Sequence, residues 1–202
     1  MTLAMPDSVT VADLPPGYDA YLGYADGQWP TATALRTRFP KARLVILTVK
    51  PGSPVTGADG CDIEPGDFDD GDALDWVLRK LAADPASRPV LYASVSEMPG
   101  VLSLLEAHGV DRDRVRVLTA HYGAGAHICG PATCRQLDVA ADGTQWTCTY
   151  PGVSGAHVDM SVLDELFFGD PLNQTGTVHS DTTGGNAKVT STDGGHTWRY
   201  TP

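Results

Sequence analysis

Two kinds of hydrophobic pattern alternate along the chain. Arg43–Val49 (RLVILTV) and Pro89–Ser94 (PVLYAS) are near-continuous apolar runs without a polar face. Such runs mark strands buried on both sides, as in parallel sheets covered by helices. Val115–Tyr122 (VRVLTAHY) is a third strand, ending on His121 and Tyr122, and Tyr18–Tyr24 (YDAYLGY) is the first, bounded by Pro15-Pro16-Gly17 and Asp26-Gly27. Between them the spacing turns helical. Thr31–Phe39 follows Pro30, sets Leu35 and Phe39 four apart and stops at Pro40. Asp69 or Asp70 caps a helix through about Ala83 with Leu74, Val77, Leu78 and Leu81 on one face. Met98–His108 is the next helix, ended by Gly109. A short strand around Thr144–Thr149 and another at Val158–Met160 lead into a terminal helix, Ser161–Phe168. This order predicts an α/β fold with a parallel sheet.

The two ends of the chain read differently. Residues 1–14 carry few anchors and are expected to form an N-terminal arm. Residues 15–169 hold the strand and helix series. Beyond Gly169 aliphatic residues nearly vanish and Gly, Thr, Ser and Asn take over, so residues 170–202 form a tail outside the main core. Within it, Ser191-Thr192-Asp193-Gly194-Gly195-His196-Thr197-Trp198 resembles the Asp-box, S-x-D-x-G-x-T-W, a β-hairpin whose polar groups bond its own turn. A single copy implies a small hairpin appendage with a structural role.

Composition narrows the partners. A net charge of −11 makes nucleic acid an unsuitable partner, since phosphate binding needs a basic face. It also disfavours attachment to anionic membranes or anionic wall polymers, so a polysaccharide would have to be held by stacking and hydrogen bonds. No apolar run approaches the roughly 20 residues of a membrane span. The N-terminus shows no basic segment followed by a long apolar core, so no signal peptide is expected.

Candidate chemistry centres on Gly60-Cys61-Asp62-Ile63-Glu64-Pro65-Gly66-Asp67. Asp62 and Glu64 sit where a strand runs out, two residues apart, and therefore share a face about 6.6 Å apart along it. Paired acids of this kind serve glycosidases, at about 5–5.5 Å for retaining and about 6.5–9.5 Å for inverting chemistry, and the strand spacing does not choose between them. The alternative is an acidic strand end leading to a helix cap. In parallel α/β folds sites lie at the carboxyl ends of strands, where Asp62, Glu64, Tyr92, His121, Tyr122, Gln145 and Trp146 all fall. The acids from Asp67 to Asp75 lack the spacing and terminal glutamate of a twelve-residue calcium loop and read as a solvated helix start.

The cysteines leave the compartment open. Cys129 with Cys134, and Cys61 with Cys148, are candidate disulfides, which would suit an extracellular or virion-surface setting over a cytoplasmic one. Free thiols are one alternative, and zinc held by His121, His127, Cys129 and Cys134 is the other. Its spacing departs from the usual paired-ligand pattern, so the expectation is no metal and no cofactor.

The order of motifs resembles the lysozyme-type muramidases of glycoside hydrolase family 25, and more closely the compact glycoside-hydrolase-like barrels of actinobacterial and phage proteins. Gly17-Tyr18-Asp19 is similar to the opening strand with its G-x-D motif, and Asp62-Ile63-Glu64 to the D-x-E catalytic strand. Arg88–Ser94 looks like the strand that follows. Leu118–Tyr122 is similar to the W-x-A-x-Y strand, with Leu118 where tryptophan is usual, and Gln145-Trp146-Thr147 with Val158–Ser161 resembles the terminal W-Q-Y…G-x-D-x-N element. The resemblance covers roughly residues 17–168. It implies a TIM-barrel-like (β/α) barrel carrying the hairpin appendage. The barrel is expected to be incomplete or rearranged, because only a loop lies between Val49 and Cys61 where the muramidases place another strand and helix.

The same resemblance implies Glu64 as general acid and Asp62 as its partner, stabilising positive charge or assisting the substrate's acetamido group. Asp19 and Asp159 would shape the subsite floor, and Tyr92, Tyr122 and Trp146 would stack on sugar. The implied activity is lysozyme-like hydrolysis of bacterial wall glycan (peptidoglycan). The alternative is a non-catalytic sugar-binding, structural or decoration protein of a phage particle or cell surface, built on the same barrel.

Overall fold

A computed structural model describes residues 2–169, 188–191 and 198–201. Two compact units emerge, Met1–Asp164 and Glu165–Pro202. In the first, eight strands close into a barrel in chain order. They are β1 (Thr2–Asp7), β2 (Ala20–Tyr24), β3 (Arg43–Thr48), β4 (Gly60–Ile63), β5 (Val90–Ser94), β6 (Arg116–Ala120), β7 (Gly143–Pro151) and β8 (His157–Asp164). Strands β1 to β7 run parallel, each to the next. β8 is antiparallel to both β7 and β1 and closes the ring.

Three α-helices accompany these strands: α1 (Ala32–Arg38), α2 (Asp70–Ala83) and α3 (Met98–Ala107). The start of α2 is fixed by a reciprocal capping box between Asp69 and Asp72. Its Ala73, Trp76 and Val77 pack with Met98, Val101 and Leu105 of α3 against Cys61, Ile63, Leu91, Ala93 and Val117 of the strands. Side chains alternate along a strand, so Asp62 and Tyr92, lying between those helix-facing residues, point to the other side, into the barrel.

The expected strands at 43–49, 89–94 and 115–122 and the expected helices at 31–39, 69–83 and 98–108 are all present, within a few residues at their ends. Three expectations are corrected. Residues 1–14 are not a free arm, because Thr2–Asp7 is the first barrel strand, paired with β8 along its whole length. The run is short and contains Pro6, and its main partner lies at the far end of the unit, beyond the reach of local pattern. The terminal helix expected at 161–168 is strand β8 as far as Asp164. Its Val158, Met160, Ser161 and Leu163 are buried, and ladders on both edges override the helical spacing of its leucine and phenylalanines.

The third correction concerns the incomplete alternative: the barrel is closed, with its strands rearranged. The connection from Val49 to Asp59 does lack a strand and helix, yet the barrel is closed because β1 and β8 complete the ring. The result is a mixed α/β barrel with one antiparallel strand and three α-helices among the described residues.

In the second unit, β9 (Lys188–Ser191) and β10 (Trp198–Thr201) pair antiparallel with Trp198 opposite Ser191. Those are the two ends of the Asp-box-like motif; residues 192–197 lie outside the described residues. Among the described residues no helix is long and apolar enough to cross a membrane.

Candidate functional site

Four carboxyl groups gather where the parallel strands end. Asp7 terminates β1, Asp62 is the penultimate residue of β4, and Glu64 follows that strand directly. Asp159, near the start of the antiparallel β8, lies opposite Asp7 in the ladder register. Directly opposed residues have Cβ atoms about 4.5–5.5 Å apart. Asp7 and Asp62 are buried, Asp159 is half-buried and Glu64 is exposed at the lip.

Asp7 is held by a buried network. The Gln145 carboxamide donates from Nε2 to Asp7 Oδ1 at 3.1 Å. Its Oε1 accepts from the Tyr92 hydroxyl at 2.7 Å and from the Tyr122 hydroxyl. Gln145 is 2% exposed and its orientation is fixed from three sides. By contrast, Asp62 Oδ1 is buried and has no hydrogen-bond partner among the described residues. A buried polar atom without a partner is costly unless a ligand or water takes it up.

Burial raises every one of these carboxyls, and neighbouring acids add to the rise at Asp7, Asp62 and Glu64. Asp62 is pushed up to about 8, by desolvation first and then by the charges of Glu64, Asp67 and Asp7. Asp7 is raised well above the ordinary carboxylate value by burial and by Asp159, against the lowering effect of its bond from Gln145. Glu64 is raised by partial burial, then by Asp67, Glu97 and Asp159. Burial also raises Asp159. Neighbouring acids that cannot all ionise together are the usual means of keeping a carboxylic acid protonated near neutral pH.

Two hollows meet at this cluster. One, of about 230 Å³, is lined by Tyr24, Trp29, Asp62, Glu64 and Asp67 among others. The second, of about 720 Å³, runs along Ile63–Asp72 to Glu97. Glu64 and Asp67 belong to both, so Glu64 stands at their junction. Trp29 is 53% exposed and offers an open indole face beside the carboxyls.

Of the residues expected from sequence, Asp62, Glu64, Asp159 and Tyr122 converge here. Three are placed elsewhere or differently. Asp19 is exposed and precedes β2, at the opposite end of the barrel from the carboxyl cluster. The acid that the structure brings to the cluster from the start of the chain is Asp7, at the end of β1. Tyr92 is 5% exposed and holds Gln145, so it has no open face for a sugar. Trp146 is half-buried and packs edge-on against Tyr150 at 6.3 Å. Of the cysteines named as candidate disulfides, all four are free thiols in this structure, with Cys61 buried in the helix-covered core and Cys148 exposed.

Asp7, Tyr24 and Trp29 escaped the sequence reading. For Asp7 a signal exists in retrospect: Leu3-Ala4-Met5-Pro6-Asp7 is an apolar run closed by an acid, the pattern that marked Asp62. Trp29 sits in a Gly/Gln/Pro loop where nothing local distinguishes a binding face from an exposed aromatic. Comparison with family models, with curated proteins and with solved structures finds no match.

Proposed function

We propose that the protein is a glycoside hydrolase on a TIM-barrel-like frame, cleaving the sugar backbone of bacterial wall polymer by acid catalysis from Glu64. The observation that carries this reading is the set of four carboxyls at the strand ends, raised by burial and, for three of them, by neighbouring acids, around a partnerless Asp62 oxygen. The order of acids along the chain, one ending the first strand, a D-x-E pair and one near the last strand, also supports the resemblance to family 25 muramidases.

In this mechanism Glu64, reachable from both hollows, protonates the glycosidic oxygen as the bond to the anomeric carbon breaks. Water then supplies hydroxide to that carbon and its remaining proton restores the Glu64 carboxyl. Asp62 is neutral below about pH 8, which suits it to hydrogen-bond the substrate's acetamido group better than to stabilise positive charge as an anion. Burial first, and then neighbouring acids with Asp67 foremost among those outside the pair, raises both acids, and Trp29 with Tyr122 supplies stacking surface. Mass analysis of fragments released from purified wall glycan tests the reading: new reducing ends on one type of sugar are expected. A folded chain that binds the glycan and leaves its length unchanged would support the sugar-binding alternative.

A further inference from the structure

The long connection between β6 and β7, residues 121–142, contains no helix or strand. Connections of that length without secondary structure need another source of order. Here four of its own side chains with soft or borderline donor atoms come together. His121 Nδ1 lies 3.0 Å from His127 Nε2, and Cys129 Sγ is 3.3 Å from each. Donor atoms of His121, Cys129 and Cys134 also lie within 4.8 Å of one another.

We propose that His121, His127, Cys129 and Cys134 form a four-ligand site for one Zn²⁺ that staples this connection to the barrel. Zinc–sulfur bonds of about 2.3 Å and zinc–nitrogen bonds of about 2.0–2.1 Å in a tetrahedron put ligand atoms roughly 3.3–3.8 Å apart. The three edges among His121, His127 and Cys129 are already close to that, and Cys134, half-buried on the same loop with Sγ within 4.8 Å of the His121 and Cys129 donors, would complete the shell by a small shift toward His127.

Hydrogen bonding alone accounts poorly for the cluster. Nδ1 of His127 lies 2.8 Å from the Gly125 carbonyl and donates to it, which leaves Nε2 as a bare lone pair facing the others. Protons placed on His121 Nδ1 and Cys129 Sγ cannot point well at all three sides of so small a triangle, because hydrogen bonds weaken steeply below about 120°. A cation at its centre satisfies every lone pair, and two thiolates balance its charge. The Gly125 bond is the outer contact that fixes the tautomer of a metal-bound histidine. Cys129 is equally well held: it is fully buried, and its amide donates to Thr144 Oγ1 at 2.8 Å. Two thiolates with two imidazoles favour zinc over calcium or magnesium, and four protein ligands make a structural site, not an open catalytic one.

The sequence spacing, H-x5-H-x-C-x4-C, hides the site because its ligands come from a strand end and an irregular loop, not from two tight turns. The inference is independent of the glycosidase reading.

The full chain, reduced and stripped with a chelator, is titrated with Zn²⁺ against a chromophoric competitor, and separately with Co²⁺. One ion per chain is expected, with Co²⁺ giving the visible bands of a tetrahedral complex and thiolate charge transfer. His127→Ala should weaken binding by at least about tenfold, and Cys129→Ser with Cys134→Ser should abolish the charge-transfer band. Should the double variant fail to fold, hydrogen exchange on the wild-type chain replaces it: Zn²⁺ should slow exchange within residues 121–142. Absence of stoichiometric binding by the reduced wild type, or unchanged cobalt bands in the cysteine variant, overturns the site.

Discussion

Asp7 and Asp159 face each other across the β1–β8 ladder, two carboxylic acids in register at the point where the antiparallel strand closes the barrel. Like groups directly opposed on a sheet destabilise it when both are charged. Burial and then the charge of its neighbour raise Asp7, so in the folded protein it ionises only at a higher pH than an ordinary carboxylate does.

The sign of the resulting pH dependence is opposite to that of a salt-bridged carboxylate. A group whose folded pKa exceeds its unfolded one adds stability below the unfolded value and loses it as pH rises through the folded value. For Asp62 the window runs from its ordinary 3.8 to about 8. Thermal melts should therefore show the midpoint falling from pH 5 to pH 8, at up to about 1.4 kcal/mol per pH unit for each titrating acid, or about 2–4 °C per kcal/mol in a chain of this size. Asp62→Asn should flatten that slope and raise the midpoint at pH 8; an unchanged slope would contradict the assignment.

Gln145 links Asp7 to two tyrosines. Replacing it by alanine strands the Tyr92 hydroxyl and a buried Asp7 oxygen, at about 1–3 kcal/mol for an unsatisfied group. Gln145→Ala is expected to lose about 2–4 kcal/mol by chemical denaturation. Tyr92→Phe should lose only about 1 kcal/mol, because Tyr122 still donates to the same oxygen.

Gly60 opens β4 against the neighbouring strand. A Cβ built there would sit 2.0 Å from the Val90 carbonyl oxygen. Since that neighbour is backbone, Gly60→Ala should fall at the upper end of the roughly 1–3 kcal/mol typical of overpacking. Gly52→Ala, in the loop with open space around it, is the control and should be near neutral.

How much of this was legible in the sequence depends on where each signal lives. The D-x-E strand end and the capped helix after it are local, so Asp62, Glu64 and α2 could be read directly. The buried runs of β3, β5 and β6 were likewise plain. What was lost depended on distant pairing: β1 is a strand because β8 accepts its edge, and Ser161–Asp164 is a strand for the same reason. Missing β1 displaced the opening acid from Asp7 to Asp19. The aromatic residues show a different gap, because sequence places Tyr92 and Trp29 on strand end and loop without saying which is buried under Gln145 and which is open.

Reducing-end release from purified wall glycan, measured side by side for wild type, Glu64→Gln and Asp19→Asn between pH 4 and pH 8, tests the central claim most directly. Glu64 must be protonated to act, and its raised pKa places the loss of activity above the ordinary glutamate value of 4.5. Wild-type and Asp19→Asn chains should cleave alike, with activity falling as pH rises, and Glu64→Gln should lose at least about 10²-fold, the contribution typical of a general acid. Equal rates for wild type and Glu64→Gln, or no cleavage by any folded chain across that range, would contradict it.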